Sequence, residues 1–175
     1  MTRVPATALS QGRAASISEL AARYLWEYRE KIELALGVLS DQQIWWRPNE
    51  RSNSIGNLVL HLEGNLSLWV LAGLGKESYE RDRAGEFQAA GGIGREHLVS
   101  HLSRLVSRAR EVIAGLGEED LQRDVEIQGY EVDGRGALMH AVEHMSYHTG
   151  QIVWIAKQLR GTERPLEFYP QHRDE

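Results

Sequence analysis

Seven histidines and no cysteine define the coordination chemistry this chain can offer: imidazole nitrogens can hold a divalent ion, and thiolates are not available. His140, His144 and His148 recur at steps of four, His97 and His101 share that spacing, and His61 stands alone. Residues four apart on a helix occupy adjacent turns of one face, so any of these pairs could grip a single ion. Direction separates them. Ala141, His144, His148, Ile152, Ile155 and Leu159 alternate steps of three and four, a core stripe that sets two histidines among aliphatics. At roughly 100° per residue those two differ by about 40°, whereas His140 lies on the order of 85° from the centre of the stripe and is expected at its rim. Measured against the row Leu98, Leu102, Leu105, Ala109, Val112 and Leu116, His101 is roughly 60° off and His97 roughly 100° off. Both are expected at a solvated or hydrogen-bonded edge.

A lone inward histidine is usually satisfied by a carbonyl or hydroxyl of the core. Two on consecutive turns of one stripe read instead as a ligand pair, and zinc and related ions usually take at least three protein ligands. His61 is the strongest candidate for the third, because it sits mid-helix in the most apolar segment of the chain, where an unpartnered imidazole carries a desolvation cost. That segment is apolar nearly all round, so its periodicity leaves the direction of His61 open.

Four helical segments must position these residues, and no internal repeat competes with that reading. The first begins at Ser16, which has capping-box spacing to Glu19, and carries Leu20, Tyr24, Tyr28, Ile32 and Leu36 at every fourth position. The stretch 40–51 contains Trp45-Trp46-Arg47-Pro48 and is expected to be a loop whose tryptophans pack against the end of a bundle. The second helix follows the capping oxygens of Ser52 and Asn53 and stops at Gly73 or Gly75. Lys76 to Gly94 is polar and long enough to return along the whole bundle as a crossover. Arg81, Arg83 and Glu86 fall within it; they could hold an anionic thiol over the bundle mouth, although a solvated loop is the simpler expectation. The third helix holds the row from Leu98 to Leu116. A short extended hairpin is suggested by Val125, Ile127, Tyr130 and Val132 around Gly129, and the fourth helix runs from about Arg135 to Arg160. The expected organisation is a leader at 1–13 without order, one all-α domain over 14–161, and a tail at 162–175 that contains Pro165 and Pro170.

A chain of 175 residues, 42% apolar and 26% charged, is the size of one ordinary soluble domain. Its apolar runs are interrupted well short of a bilayer span. The first thirteen residues lack the apolar centre of a signal peptide, and the absence of cysteine fits a reducing cytoplasm. A net charge of −5, with no dense Lys and Arg cluster, argues against nucleic acid as a partner.

Three stretches together resemble the DinB-like, or YfiT-like, superfamily of bacterial metalloenzymes. They are Trp45-Trp46-Arg47-Pro48-Asn49-Glu50; Asn53-Ser54-Ile55-Gly56-Asn57-Leu58 leading to His61-Leu62-Glu63-Gly64-Asn65; and His144-Met145-Ser146-Tyr147-His148-Thr149-Gly150-Gln151. The resemblance implies a four-helix bundle of up-down-down-up topology with its crossover between the second and third helices. It implies a metal site of one histidine from the second helix and a His-x3-His pair from the fourth, which maps onto His61, His144 and His148. It also implies zinc, nickel or iron as the ion, and a homodimer. Many members carry a second histidine or an arginine after the terminal ligand, where this chain has Thr149.

Three neutral imidazoles leave an open coordination position for water, a substrate oxygen or a thiolate. Related families use the ion with a low-molecular-weight thiol, so the resemblance implies a metal-dependent thiol S-transferase acting on small electrophiles in detoxification. A metal-dependent hydrolase is the alternative, for which a carboxylate base near the ion is expected; Glu63 and Glu143 point away from the inferred stripe. A non-enzymatic metal-binding protein is the third reading. Asn65, one turn beyond His61, and Gln151, three residues after His148, are candidates to hydrogen-bond and orient the ligand imidazoles.

Overall fold

A computed structural model describes residues 15–161 together with 166 and 168. The expected leader, and all but two positions of the expected tail, lie outside the described residues. The first long helix, α1 (Ile17–Gly37), opens on the capping box that the spacing predicts: Ser16 Oγ accepts from the Glu19 backbone, and the Glu19 carboxylate accepts from the Ser16 backbone. Its buried row is Ala21, Leu25, Arg29, Ile32, Ala35 and Leu36, not the expected series from Leu20 through Tyr24 and Tyr28. A strict step of four drifts by about 40° each time, so five such positions cannot share one face. Tyr24 and Tyr28 stack on each other at the rim, with ring centroids 6.2 Å apart.

The expected loop after α1 contains one helical turn, α2 (Asp41–Ile44), capped by Ser40 and Gln43. Trp45 packs on Gly56, where a Cβ would meet its ring at 2.7 Å, and its indole N–H donates to the Ile93 carbonyl at 2.9 Å. Trp46 remains exposed. The second long helix is α3 (Ile55–Leu66), which passes into a π-helical segment, Ser67–Leu74. Its cap is Ser54, reciprocated by Asn57, and not Ser52 or Asn53.

The crossover is structured. Asp82 caps the short helix α4 (Arg83–Gln88), and donors from outside it fasten the backbone: Asn57 Nδ2 bonds the Glu86 and Ala89 carbonyls, and Arg47 Nη2 bonds that of Ala89. The third long helix, α5 (Arg95–Ala114), buries Leu98, Leu102, Val106, Ala109 and Ile113. The expected Leu105, Val112 and Leu116 lie half-buried beside that row. Adjacent apolar positions are about 100° apart, so the neighbouring helices decide which is deeper.

After α6 (Glu118–Gln122), β1 (Asp124–Ile127) pairs antiparallel with β2 (Tyr130–Asp133). The turn places Gln128 and Gly129 at positive φ, 55° and 78°, as a type I′ hairpin requires. The last long helix is α7 (Gly134–Arg160).

The contacts fix the topology as up-down-down-up. Arg160 donates to the Val38 carbonyl, so α1 and α7 end together; Arg95 reaches the Leu39 carbonyl, so α5 starts where α1 ends. Arg108 pairs with Glu77 at 2.7 Å, which joins the far ends of α5 and the π-helical segment. The four long helices enclose one core. Among the described residues no helix is long and apolar enough to cross a membrane.

Candidate metal centre

Antiparallel packing of α3 on α7 sets His61 against His144, Asn65 against His140, and Trp69 beside the hairpin that precedes α7. His61, His144 and His148 each offer one ring nitrogen, and the three atoms lie within 4.8 Å of one another. His61 is buried and the other two are half-buried. The core stripe of α7 is Leu138, Ala141, Met145, Thr149, Ile152 and Ala156, so His144 and His148 sit beside that stripe and not within it. A place at its flank turns them toward α3 and a cavity and leaves the bundle axis to aliphatics.

Hydrogen bonds behind the rings decide which nitrogens are free. His61 Nδ1 lies 2.9 Å from Glu86 Oε2, and a carboxylate can only accept, so that nitrogen carries the proton and Nε2 keeps a lone pair. Arg81 Nη2 is 3.1 Å from the same Nδ1, but its protons go to Glu86 Oε2 at 2.9 Å and the His61 carbonyl at 3.4 Å. His148 Nδ1 donates to Gln151 Oε1 at 2.6 Å, which leaves its Nε2 unprotonated as well. The Nε2 atoms of His61 and His144 face each other at 3.0 Å, and His144 Nδ1 is buried without a partner among the described residues. Three converging imidazoles, two of them held from behind with Nε2 left unprotonated, could hold a divalent metal ion.

Electrostatics favour the neutral, ligating form of His144 and His148. Burial pushes His144 down to about 3, with further lowering from the charges of His148, His61, His140 and Arg81. Burial also lowers His148, against an opposing hydrogen bond that it donates to Gln151, and lowers His140. An imidazole with a folded pKa below its ordinary value of 6.5 contributes stability above that value and loses it as the unfolded chain takes up the proton. The melting temperature of the metal-free protein is therefore expected to fall as pH drops from 6.5 towards 3. A flat profile across that window would contradict the burial of these rings in neutral form.

Of the two amides singled out in the sequence, that of Gln151 contacts His148, whereas that of Asn65 donates to His140 Nε2 at 3.2 Å. His61 is held instead by the crossover. Arg81 and Glu86, expected in a solvated loop, are both 7% exposed in their side chains and form a bidentate ion pair. Gly64 admits them, since a Cβ there would stand 2.0 Å from Glu86 Oε1 and 2.9 Å from Arg81 Nε. His97 and His101 are exposed on α5, away from the triad, and His101 Nδ1 pairs with Glu63 Oε2 at 2.8 Å. Glu63 is buried on that side and Glu143 is exposed, so neither reaches the triad.

A cavity of about 400 Å³ adjoins His61 and His144. His140 forms part of its wall, its ring stacked on Trp69 at 3.8 Å between centroids and 29° between planes. The Trp69 indole donates to Gln128 Oε1 at 3.2 Å, so the hairpin closes one side with Tyr130 and Val132. Helical periodicity could not reveal this wall: Trp69 lies on a π-helical segment, Gln128 lies in the hairpin turn and Tyr130 follows it.

The molecule is thus an all-α four-helix bundle that gathers three imidazoles from its second and fourth long helices at a site able to hold a metal ion. The chain belongs to the family described as "Protein of unknown function (DUF1572)", whose model matches residues 14–166. Solved structures share the fold. A conserved protein from Enterococcus faecalis superposes with a TM-score of 0.71 at 17% identity, over 85% of this chain and 100% of that one. A DinB-like protein from Bacillus cereus gives 0.66 at 16% identity, over 83% and 94%. YfiT from Bacillus subtilis, described as "a probable metal-dependent hydrolase with an unusual four-helix bundle topology", gives 0.70 at 15% identity, over 87% and 93%. The chain is DinB-like and YfiT-like in fold. No curated protein matches it.

Proposed function

We propose that the protein is a metal-dependent S-transferase in which His61, His144 and His148 hold one divalent ion and a low-molecular-weight thiol attacks a small electrophile. The observation that carries the metal-dependent part is the convergence of three imidazole nitrogens within 4.8 Å, with Glu86 and Gln151 bonded to the far sides of two rings. Bound there, such an ion supplies a Lewis acid that lowers the pKa of whatever occupies its open position. His61 and His148 stay fixed in one tautomer, and Glu86 balances positive charge beside the site.

The choice of thiol over water rests on the cavity wall. Among the described residues that line it none is Asp or Glu, so no carboxylate stands ready as a general base for water. A thiol, with an ordinary pKa of about 8.5, sheds its proton to solvent far more readily than water does and needs no such base. Its sulfur lone pair then forms the new carbon–sulfur bond while the leaving group departs with its bonding electrons. The second reading, a hydrolase, is favoured by the likeness to YfiT.

The two separate cleanly. Metal-loaded protein, tested against a panel of low-molecular-weight thiols with a generic aromatic electrophile, is expected to form thioether only when thiol is present, and His144→Ala is expected to lose that activity. Metal-dependent hydrolysis of the electrophile without thiol would overturn the transferase reading in favour of the hydrolase.

A further inference from the structure

The cavity beside the triad has a charge pattern that the metal reading does not use. Arg81 spends its guanidinium on both oxygens of Glu86 and is neutralised. Arg83 remains: it lines the same cavity, is exposed at its mouth, and has no carboxylate partner among the described residues. Its guanidinium is not adrift. It lies 5.1 Å from the centre of the Phe87 ring, and Phe87 in turn packs against His61 with ring centroids 4.8 Å apart. A cation stacked on an aromatic face keeps its in-plane N–H groups available, and the planar fork matches a carboxylate or a phosphate oxygen pair.

Beyond Arg83 the wall is flat and largely apolar. Trp69 stacks on His140, Tyr130 stands 6.3 Å from Trp69 between ring centroids, and Val132 completes the surface. The volume of about 400 Å³ falls at the small end of ligand sites, which run from about 300 to 1,000 Å³. Glu86 is engaged by Arg81 and His61 behind the wall, and Glu143, which influences His140, is exposed and does not line the cavity.

We infer that this cavity takes a small ligand with a flat apolar body and one anionic group, and that Arg83 holds the anion. The body lies against Trp69 and Val132, with its far end toward His61 and His144. This rests on the metal-centre reading only for which end of the ligand meets the ion. A carboxylate and a phosphate would present the same chemistry to Arg83.

Calorimetric titration of the metal-loaded protein with benzoate, phenyl phosphate and the neutral isostere benzamide tests this, with metal content measured on every sample. At least one of the two anions is expected to bind more tightly than benzamide, and the better of them names the anionic group. In Arg83→Gln that advantage is expected to shrink by about fivefold or more, the scale of a charge-assisted hydrogen bond at a partly exposed site, while Arg83→Lys keeps most of it. Benzamide binding as tightly as either anion would overturn the inference, as would no saturable anion binding at millimolar concentration. An anion preference that persists undiminished in Arg83→Gln would do so too, because the anion would then be held by the ion alone. A protein without metal that still shows the Arg83-dependent preference fails the metal reading and keeps this one. A metal-loaded protein without the preference does the reverse.

Discussion

His144→Ala is expected to abolish stoichiometric metal binding, with affinity falling by more than about a hundredfold, beyond the upper range for losing only a partner that orients a ligand. This imidazole faces His61 Nε2 at 3.0 Å and is the one member of the triad whose second nitrogen has no partner among the described residues. Its removal takes away a donor without leaving an acceptor stranded behind it. The metal-free variant should therefore still unfold cooperatively, which separates loss of the site from loss of the fold. In the parent, an ion that binds only the folded state raises stability by about 2.7 kcal/mol when present at about a hundred times its dissociation constant. That increment should vanish in the variant. His61→Ala and His148→Ala should behave alike in metal content, measured by elemental analysis of purified protein; retention of the parent's metal in all three would remove the basis for the centre.

The pairing of His144 with His148 was legible because a step of four on a helix is a geometric statement that survives folding. Their surroundings were legible only in part. The buried stripe passes through Met145 and Thr149, and the histidines lie beside it, turned toward a cavity that no periodicity describes. Helical direction did exclude His97 and His101, which are exposed. His61 sits in a segment buried on nearly every side, so only resemblance gave it a direction. The crossover was illegible for a different reason. Arg81 and Glu86 look like solvated loop residues, and their burial depends on how closely the chain approaches α3. One signal did point there: Gly64 stands in the middle of a helix, where it costs about 1 kcal/mol relative to alanine. A glycine kept at such a position marks close approach, and here the approaching group is the Arg81–Glu86 pair.

That pair carries the second large effect. Glu86→Ala is expected to destabilise the fold by about 3–5 kcal/mol, because it leaves the buried Arg81 guanidinium without its carboxylate. Urea unfolding of metal-free protein measures that cost, and a midpoint equal to the parent's would contradict it. The same substitution removes the acceptor for His61 Nδ1, so metal affinity should fall about 10- to 100-fold even where the protein is folded. Burial alone would raise the Glu86 carboxyl, but hydrogen bonds from His61 and Arg81, with their charges, outweigh it and hold the group below its ordinary value of 4.5. A depressed carboxyl contributes stability above that value and loses it as pH falls through the folded pKa. The gap between parent and Glu86→Ala should therefore narrow at acid pH. Gly64→Ala supplies the control that removes no polar group. Its Cβ would collide with Glu86 Oε1, and the pair would have to withdraw from His61. If the Glu86 carboxylate orients the imidazole, this methyl group, one turn along α3 from His61, weakens metal binding as Glu86→Ala does. If Glu86 serves folding alone, Gly64→Ala lowers the urea midpoint and leaves metal affinity unchanged.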